Sequence, residues 1–436
     1  MIKKFYFLQK KNRFRILAAT IVFFLSFPLC AKRINIIWWH AMAGHLGNEI
    51  RHLAYDFNQQ QDQYFIKPVY KGDYIETLTS FAAAFRAHQP PDMVQVFEVG
   101  AATMLKPKGI IKPVAQLMKE QHIPLPTNDI IPAVRHFYSK NGELMAFPLN
   151  LSVPVLYYNA EVLKKIGYDQ RNFPHSWQEL EKLAEKLKNA GYRCAYTSAQ
   201  PAWILVESYL AIHGIATTEN MPLRAIYNSP YFVAHLARLK HWQELGYFRY
   251  GGRADDATVL FTSNVCPMYS QSSGGYNSLS EIVPFRLGVA LLPLDTEVSQ
   301  TRHANVAGGA ALWVTAERPA VKEKGIALFL HYLSRPDVQK RWHEHSGYLP
   351  LGLTGQYAAI SSISQHPVLK LAQADLTTSS EHLKTNTLIP QHQIRAVNEA
   401  ALETLFAGLK TPKQAADEAV KQANHLIWRY IRNTQS

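Results

Sequence analysis

The stretch RINIIWWHAMAGHLGNEIRHLAYDFNQQQDQYFIKPVYKGDYIETLTSFAAAFRAHQPPDMVQVFEVG, residues 33–100, switches repeatedly between two periodicities. RINIIWWH (Arg33 to His40) is rich in β-branched and aromatic residues, and Ile50, Leu53, Ala54 and Phe57 then recur at helical spacing. FIKPVY (Phe65 to Tyr70) is a second strand. Asp73 with Glu76 three residues on has the pattern of a capping box, opening a helix whose inward face is predicted to hold Ile75, Leu78, Phe81 and Phe85. DMVQVFEVG (Asp92 to Gly100) is a third strand. The order βαβαβ predicts an open, mostly parallel α/β sheet.

Further along, FPLNLSVPVLYYN (Phe147 to Asn159) reads as two extended segments bounded by prolines, interrupted by the polar Asn150 and Ser152. The α/β pattern then restarts. Asn159 opens a short helix stopped by Gly167. Ser176, with Glu179 at the box position, caps a long helix burying Trp177, Leu180, Leu183, Ala184 and Leu187, and RCAYTS (Arg193 to Ser198) is the next strand. RLGVALLPLD (Arg286 to Asp295) and GGAALWV (Gly308 to Val314) suggest another pair of strands around a crossing. The last third is mostly helical, over Val321 to Leu333, Pro336 to His345, Gln393 to Leu409 and Thr411 to Arg432. At 436 residues the chain exceeds one ordinary core, so two lobes are expected. No Gly/Ser tether separates them, and ordered segments must join them.

The formal charge of +13 is partly local. Lys3, Lys4, Lys10, Lys11, Arg13 and Arg15 precede an apolar run, Ile16 to Phe27, and a small-residue exit at Ala31, the layout of a secretory signal peptide over residues 1–31. Removing those six of the 46 Lys and Arg leaves 40 against 33 Asp and Glu, a formal charge of +7. With no dense basic stripe, nucleic acid is not an expected partner. Pro28 and Leu29 before Cys30 do not suit a lipid anchor. Cys194 and Cys266 then face an oxidising compartment, where a disulfide and two buried thiols in neighbouring strands both remain open.

Motifs for phosphate-loop, serine-hydrolase or zinc-protease chemistry are missing from the sequence. His343-Glu344-His345 falls in a predicted helix, where positions two apart face different sides, and reads as a solvated face. No catalytic residue, metal or cofactor is expected. Binding signals are stronger. Aromatic residues gather with polar neighbours at predicted strand ends (Trp38-Trp39-His40, Tyr74, Phe97-Glu98, Trp177, Trp203, Trp313, Tyr348). Glu98 follows MVQVF at the carboxyl end of a strand, where open α/β sheets bind ligands. The alternative for Glu98 is a carboxylate that stabilises the N-terminus of the helix that follows. Gly308-Gly309 allows a backbone to approach an anion, or a tight turn.

The segment DVQKRWHEHSGYLPLG (Asp337 to Gly352) resembles the Q-x-x-W…G-Y-L-P stretch of the extracellular solute-binding proteins of ABC uptake systems. The blocks WWHAMAGHLGNEI, YKGDYIETL, QVFEVGAATML, PVLYYN, SWQEL, GGAALWV, GYLP, PQHQIRAV and KTPKQAADEAV are similar, in the same order, to the glycerol-3-phosphate-binding group within that family. The resemblance implies a two-lobed, maltose-binding-protein-like α/β fold of type II with mixed, mostly parallel sheets and three interlobe crossings. The expected lobes are residues 32–150 with about 303–345, and 151–302 with about 346–436.

The resemblance further implies a monomeric periplasmic receptor that captures sn-glycerol-3-phosphate and delivers it to an inner-membrane ABC permease. A glycerophosphodiester such as glycerophosphocholine, or a neutral sugar, is the alternative ligand, and a secreted phosphate-ester hydrolase the alternative class. Matched position by position, the ligand contacts are Tyr74, Glu98, Ser152, Ser272, Gly309, Tyr348 and Arg395, with Trp177 as an aromatic wall. Leu151 stands where the family has a serine, and Pro267 and Tyr269 alter the strand before Ser272. A guanidinium suits phosphate oxygens through paired N–H donors, which makes Arg395 the phosphate pole. Glu98 would repel the phosphate and is expected to accept bonds from the glycerol hydroxyls.

Overall fold

The computed structural model describes residues 33–105, 109–220, 222–363, 367–377 and 390–435. The signal-peptide segment, its cleavage site and Cys30 lie outside the described residues. The three opening strands form as expected. Ile34–His40 pairs in parallel with Tyr64–Tyr70 on one side and Met93–Phe97 on the other. Ile36, Trp38 and His40 alternate onto one buried face. Helix Gly44–Gln59 buries Ile50, Leu53, Ala54 and Phe57. The capping box is present, with Asp73 accepting from Glu76 N and Glu76 Oε2 accepting from Asp73 N, both at 2.8 Å. On that helix Leu78 and Phe81 are buried, whereas Ile75, expected inward, is 53% exposed.

The first sheet is completed by Gly308–Thr315, which runs antiparallel to Met93–Phe97, to Ile111–Lys112 and to Phe147–Ser152. A second sheet orders Leu287–Ala290, Pro154–Asn159, Met268–Ser272 and Tyr196–Ser198. Both sheets are mixed. The antiparallel pairings enter through the strands that cross between sheets and return, which a βαβ pattern does not reveal.

The first crossing is abrupt. Phe147–Ser152 belongs to the first sheet and Pro154–Asn159 to the second, and every residue of both is buried. Only Val153 lies between them. Its N–H donates to Ser273 Oγ at 3.1 Å and its carbonyl accepts from Ser273 N at 2.8 Å, so the junction is fixed rather than loose. The second crossing joins Leu287–Ala290 to Gly308–Thr315. There Gly309 has φ +124°, and a Cβ at that position would lie 1.8 Å from the Asn150 carbonyl oxygen. Only glycine fits so close a strand contact.

Two apolar cores are present, and the first reaches across both sheets, taking in Val155, Tyr157, Tyr269 and Val289 of the second. The helix capped by Ser176 buries Trp177, Leu180, Leu183, Ala184 and Leu187 in the second. The chain after Ser346 contributes to both cores. Leu349, Leu351, Tyr357, Leu369 and Leu376 pack into the first core, and only from Leu402 to Ile427 do buried residues join the second. Helix Pro367–Thr377 also packs on strand Leu287–Ala290 of the second sheet, and its Asp375 pairs with Arg302 and Asn305. Cys194 and Cys266 are joined by a disulfide, with both residues buried.

The His343 side chain is buried, contrary to the expected solvated face. Its Nδ1 lies 2.6 Å from the Tyr348 carbonyl and so pins the turn that carries Tyr348. No group of potential metal ligands occurs among the described residues.

Candidate functional site: one guanidinium between two lobes

Arg395 stands in the second turn of helix Gln391–Phe406, with its side chain 14% exposed. Its Nη1 donates to Glu98 Oε1 at 2.7 Å. Its Nε and Nη2 donate to the two carboxylate oxygens of Glu207 at 2.8 and 2.5 Å. Glu98 follows the strand Met93–Phe97 of the first sheet, while Glu207 sits in the π-helix Ala202–Ser208, whose neighbours line the second core. The bridge Glu98–Arg395–Glu207 thus spans the two cores. Burial lowers the Arg395 pKa, but the Glu207 and Glu98 carboxylates outweigh it, and the guanidinium stays charged. Burial raises the Glu98 carboxyl above its ordinary range against the pull of Arg395.

Glu399, one turn beyond Arg395, ties the same helix to the start of the π-helix by accepting from Ala202 N at 3.1 Å. Its other oxygen, Oε2, is buried with no hydrogen-bond partner among the described residues. Burial pushes the Glu399 carboxyl up to about 7.

A second group surrounds Tyr74. Its ring stacks on Phe97, with centroids 5.3 Å apart and planes 8° from parallel. Ala41 N donates to Gln95 Oε1, Gln95 Nε2 to Asn150 Oδ1, and Asn150 Nδ2 to the Tyr74 hydroxyl, at 2.9, 2.8 and 3.0 Å. This relay explains why Asn150 interrupts a buried strand. It directs an amide donor at the Tyr74 oxygen, leaving the phenolic hydrogen to be given elsewhere. Tyr348 packs beside it, stacked on Trp342 at 5.9 Å. Its phenol is raised by burial and by the Asp255 carboxylate, with Tyr74 and Asn150 opposing.

Ser152 ends the first crossing strand opposite Gly308. A Cβ on Gly308 would lie 2.4 Å from the Trp203 ring, so the bare glycine lets that indole lie flat against the crossing. Gly309 pairs with Leu151 one step along. Ser272 ends a strand of the second sheet, and its Oγ accepts from Gly274 N at 3.2 Å, leaving its hydrogen to donate. The Tyr348 ring covers Gly274, where a Cβ would lie 2.4 Å from it.

The structure therefore gathers Glu98 with Arg395, Tyr74 with Tyr348, and Ser152 beside Gly308 and Gly309, with Ser272 linked to Tyr348 through Gly274. Trp177 is not among them. It is 4% exposed and packs edge-on to Tyr196, Tyr209 and His235 inside the second core. Its place at the first turn of the helix continues the buried stripe. The indole that lies against the crossing at Gly308 is Trp203. Glu207, four residues after Trp203, went unrecognised in the sequence because a π-helix has no 3.6-residue signature.

The profile of the bacterial extracellular solute-binding protein family matches residues 52–367. The sn-glycerol-3-phosphate-binding periplasmic protein UgpB of Pectobacterium atrosepticum is 34% identical over 441 aligned positions, covering 98% of this chain and 99% of that protein. Its namesake in Yersinia pseudotuberculosis is 36% identical over 420, covering 93% and 95%. Among solved structures, UgpB from Mycobacterium tuberculosis in complex with glycerophosphocholine superposes with a TM-score of 0.76 at 20% identity, over 91% of this chain and 99% of that one. The GacH receptor of Streptomyces glaucescens, solved unliganded and with acarbose, gives 0.79 at 16%, over 91% and 99%. These two likenesses concern the fold.

Proposed function

Because this chain belongs to the bacterial extracellular solute-binding protein family, we propose that it is a periplasmic receptor for sn-glycerol-3-phosphate or a related glycerophosphodiester. It would close its lobes on the ligand and deliver it unchanged to an inner-membrane ABC permease. The observation that carries this reading is the convergence of Arg395, Glu98 and Glu207 from the two lobes on one buried point. The names of the relatives at 34 and 36% identity support the ligand class.

In the proposed complex, Glu207 keeps the Nε and Nη2 edge of Arg395, and the ligand phosphate takes the place on Nη1 that Glu98 now holds. Glu98, released from the guanidinium, accepts hydrogen bonds from the glycerol hydroxyls. Tyr74, Ser152 and Ser272 have hydroxyl hydrogens to give, Tyr348 would turn its own away from Met42 Sδ, and Gly309 brings backbone close. Hydrogen bonds to charged groups contribute roughly 1.5–3 kcal/mol each, and a micromolar site needs about 8 kcal/mol net. A handful of such bonds suffices once closure excludes water. Because only the closed arrangement uses donors from both lobes, ligand shifts the population toward it.

A thermal-shift panel of glycerol-3-phosphate, glycerophosphocholine, inorganic phosphate and maltose tests the assignment. Stabilisation by the glycerophosphate compounds and not by maltose is expected, and the reverse order overturns it. Release of inorganic phosphate from glycerol-3-phosphate by the purified protein would instead establish a hydrolase.

A further inference from the structure

We propose that Glu207 is a specificity-determining residue that sets how much negative charge the site accepts on the ligand phosphate. The proposal rests on the receptor reading above. Glu207 holds the guanidinium bidentately while its own side chain is 13% exposed, so the carboxylate cannot swing into solvent without breaking two charge-assisted bonds. Its grip also fixes the guanidinium plane, leaving the Nη1 side as the part directed at Glu98.

The charge balance follows from the neighbours. Glu98 arrives from the first sheet, Glu207 from the π-helix and Glu399 from the Arg395 helix itself, against the single charge of Arg395. The next cation, Arg253, is engaged by both oxygens of Glu403 at 2.6 Å. Tyr227 and Tyr250 face the same cluster, and burial raises both phenols, so they stay neutral. Even with Glu399 protonated, the carboxylates outnumber the guanidinium. A phosphate diester adds one negative charge to this cluster and a monoester at alkaline pH adds two. Glu207 repels each added charge at short range in a water-poor setting.

The experiment is calorimetry of wild type and Glu207→Gln with two probes, glycerol-3-phosphate and glycerophosphoglycerol, at pH 8. The first carries two negative charges there and the second one, with no cation on either. The amide keeps the shape of the carboxylate and removes its charge. A loss of Arg395 positioning weakens the dianion more than the monoanion and so moves their ratio the opposite way to removal of the Glu207 charge. The ratio is expected to move toward the dianion by at least about tenfold. A ratio unchanged within about twofold overturns the proposal.

Should the variant fail to fold, the wild-type protein supplies the second readout. Between pH 5 and 8 the monoester passes from monoanion to dianion, with its second pKa at about 6, while the diester keeps one charge. Affinity for the monoester relative to the diester is expected to fall severalfold across that range, and a rise overturns the proposal. Failure of the wild type to bind either probe at any pH would sink the receptor reading instead.

Discussion

Replacing Arg395 with glutamine removes the only cation contacting both Glu98 and Glu207 among the described residues, and it should act on binding and on stability in separable ways. The wild-type guanidinium satisfies three carboxylate oxygens at 2.5 to 2.8 Å. Without it two largely buried carboxylates lose their counter-charge, a change that costs about 3–5 kcal/mol when a buried pair is broken from one side. Unfolding entropy of about 2.1 cal/mol/K per residue over roughly 400 residues converts this to a fall in Tm of about 4–6 °C. Burial already raises the Glu98 carboxyl against the pull of Arg395, and without that pull the variant keeps stability at low pH and loses it as pH rises through the folded Glu98 value. Scanning calorimetry at pH 5 and pH 8 should therefore show a deficit relative to wild type that grows with pH. Binding of glycerol-3-phosphate should weaken more than a hundredfold, as the phosphate loses its charged donor. A deficit that grows on acidification, or an unchanged Kd, would refute the reasoning.

Gly309→Ala places a methyl group 1.8 Å from the Asn150 carbonyl at φ +124°, so calorimetry should show a Tm several degrees lower together with lost binding. Trp203→Ala and Trp177→Ala should separate cleanly. Both are destabilising through cavity formation by about 3–5 kcal/mol, but only the Trp203 variant should change the ratio of monoester to diester affinity measured by titration. Glu399→Gln should flatten the dependence of Tm on pH between about 5 and 8. The Glu399 carboxyl, raised to about 7, gives stability present at low pH and lost as pH rises through that value.

Much of the scaffold was readable because local chemistry and tertiary structure agree there. The Asp73–Glu76 and Ser176–Glu179 boxes both close, and the stripe from Trp177 to Leu187 packs inward as its spacing demands. The same stripe carries Trp177 in among Tyr196, Tyr209 and His235, a packing that its matched block did not reveal. Arg395 and Glu98, 297 residues apart, came from matched blocks, and their 2.7 Å contact is a property of the fold that no spacing encodes. Glu207 had no such block and sits where helical periodicity breaks. The disulfide between Cys194 and Cys266, 72 residues apart, likewise depended on strand neighbours rather than on sequence. The packing of Leu349, Leu351, Tyr357, Leu369 and Leu376 was hidden because their apolar pattern names no partner.

The exchange at Arg395 Nη1 is the centre of the account, and a crystal structure with glycerol-3-phosphate bound measures it directly. The account predicts a phosphate oxygen within hydrogen-bond distance of Nη1, Glu207 still on Nε and Nη2, and Glu98 turned to a glycerol hydroxyl. A bound ligand elsewhere, with the Glu98–Arg395 contact still at 2.7 Å, would contradict it.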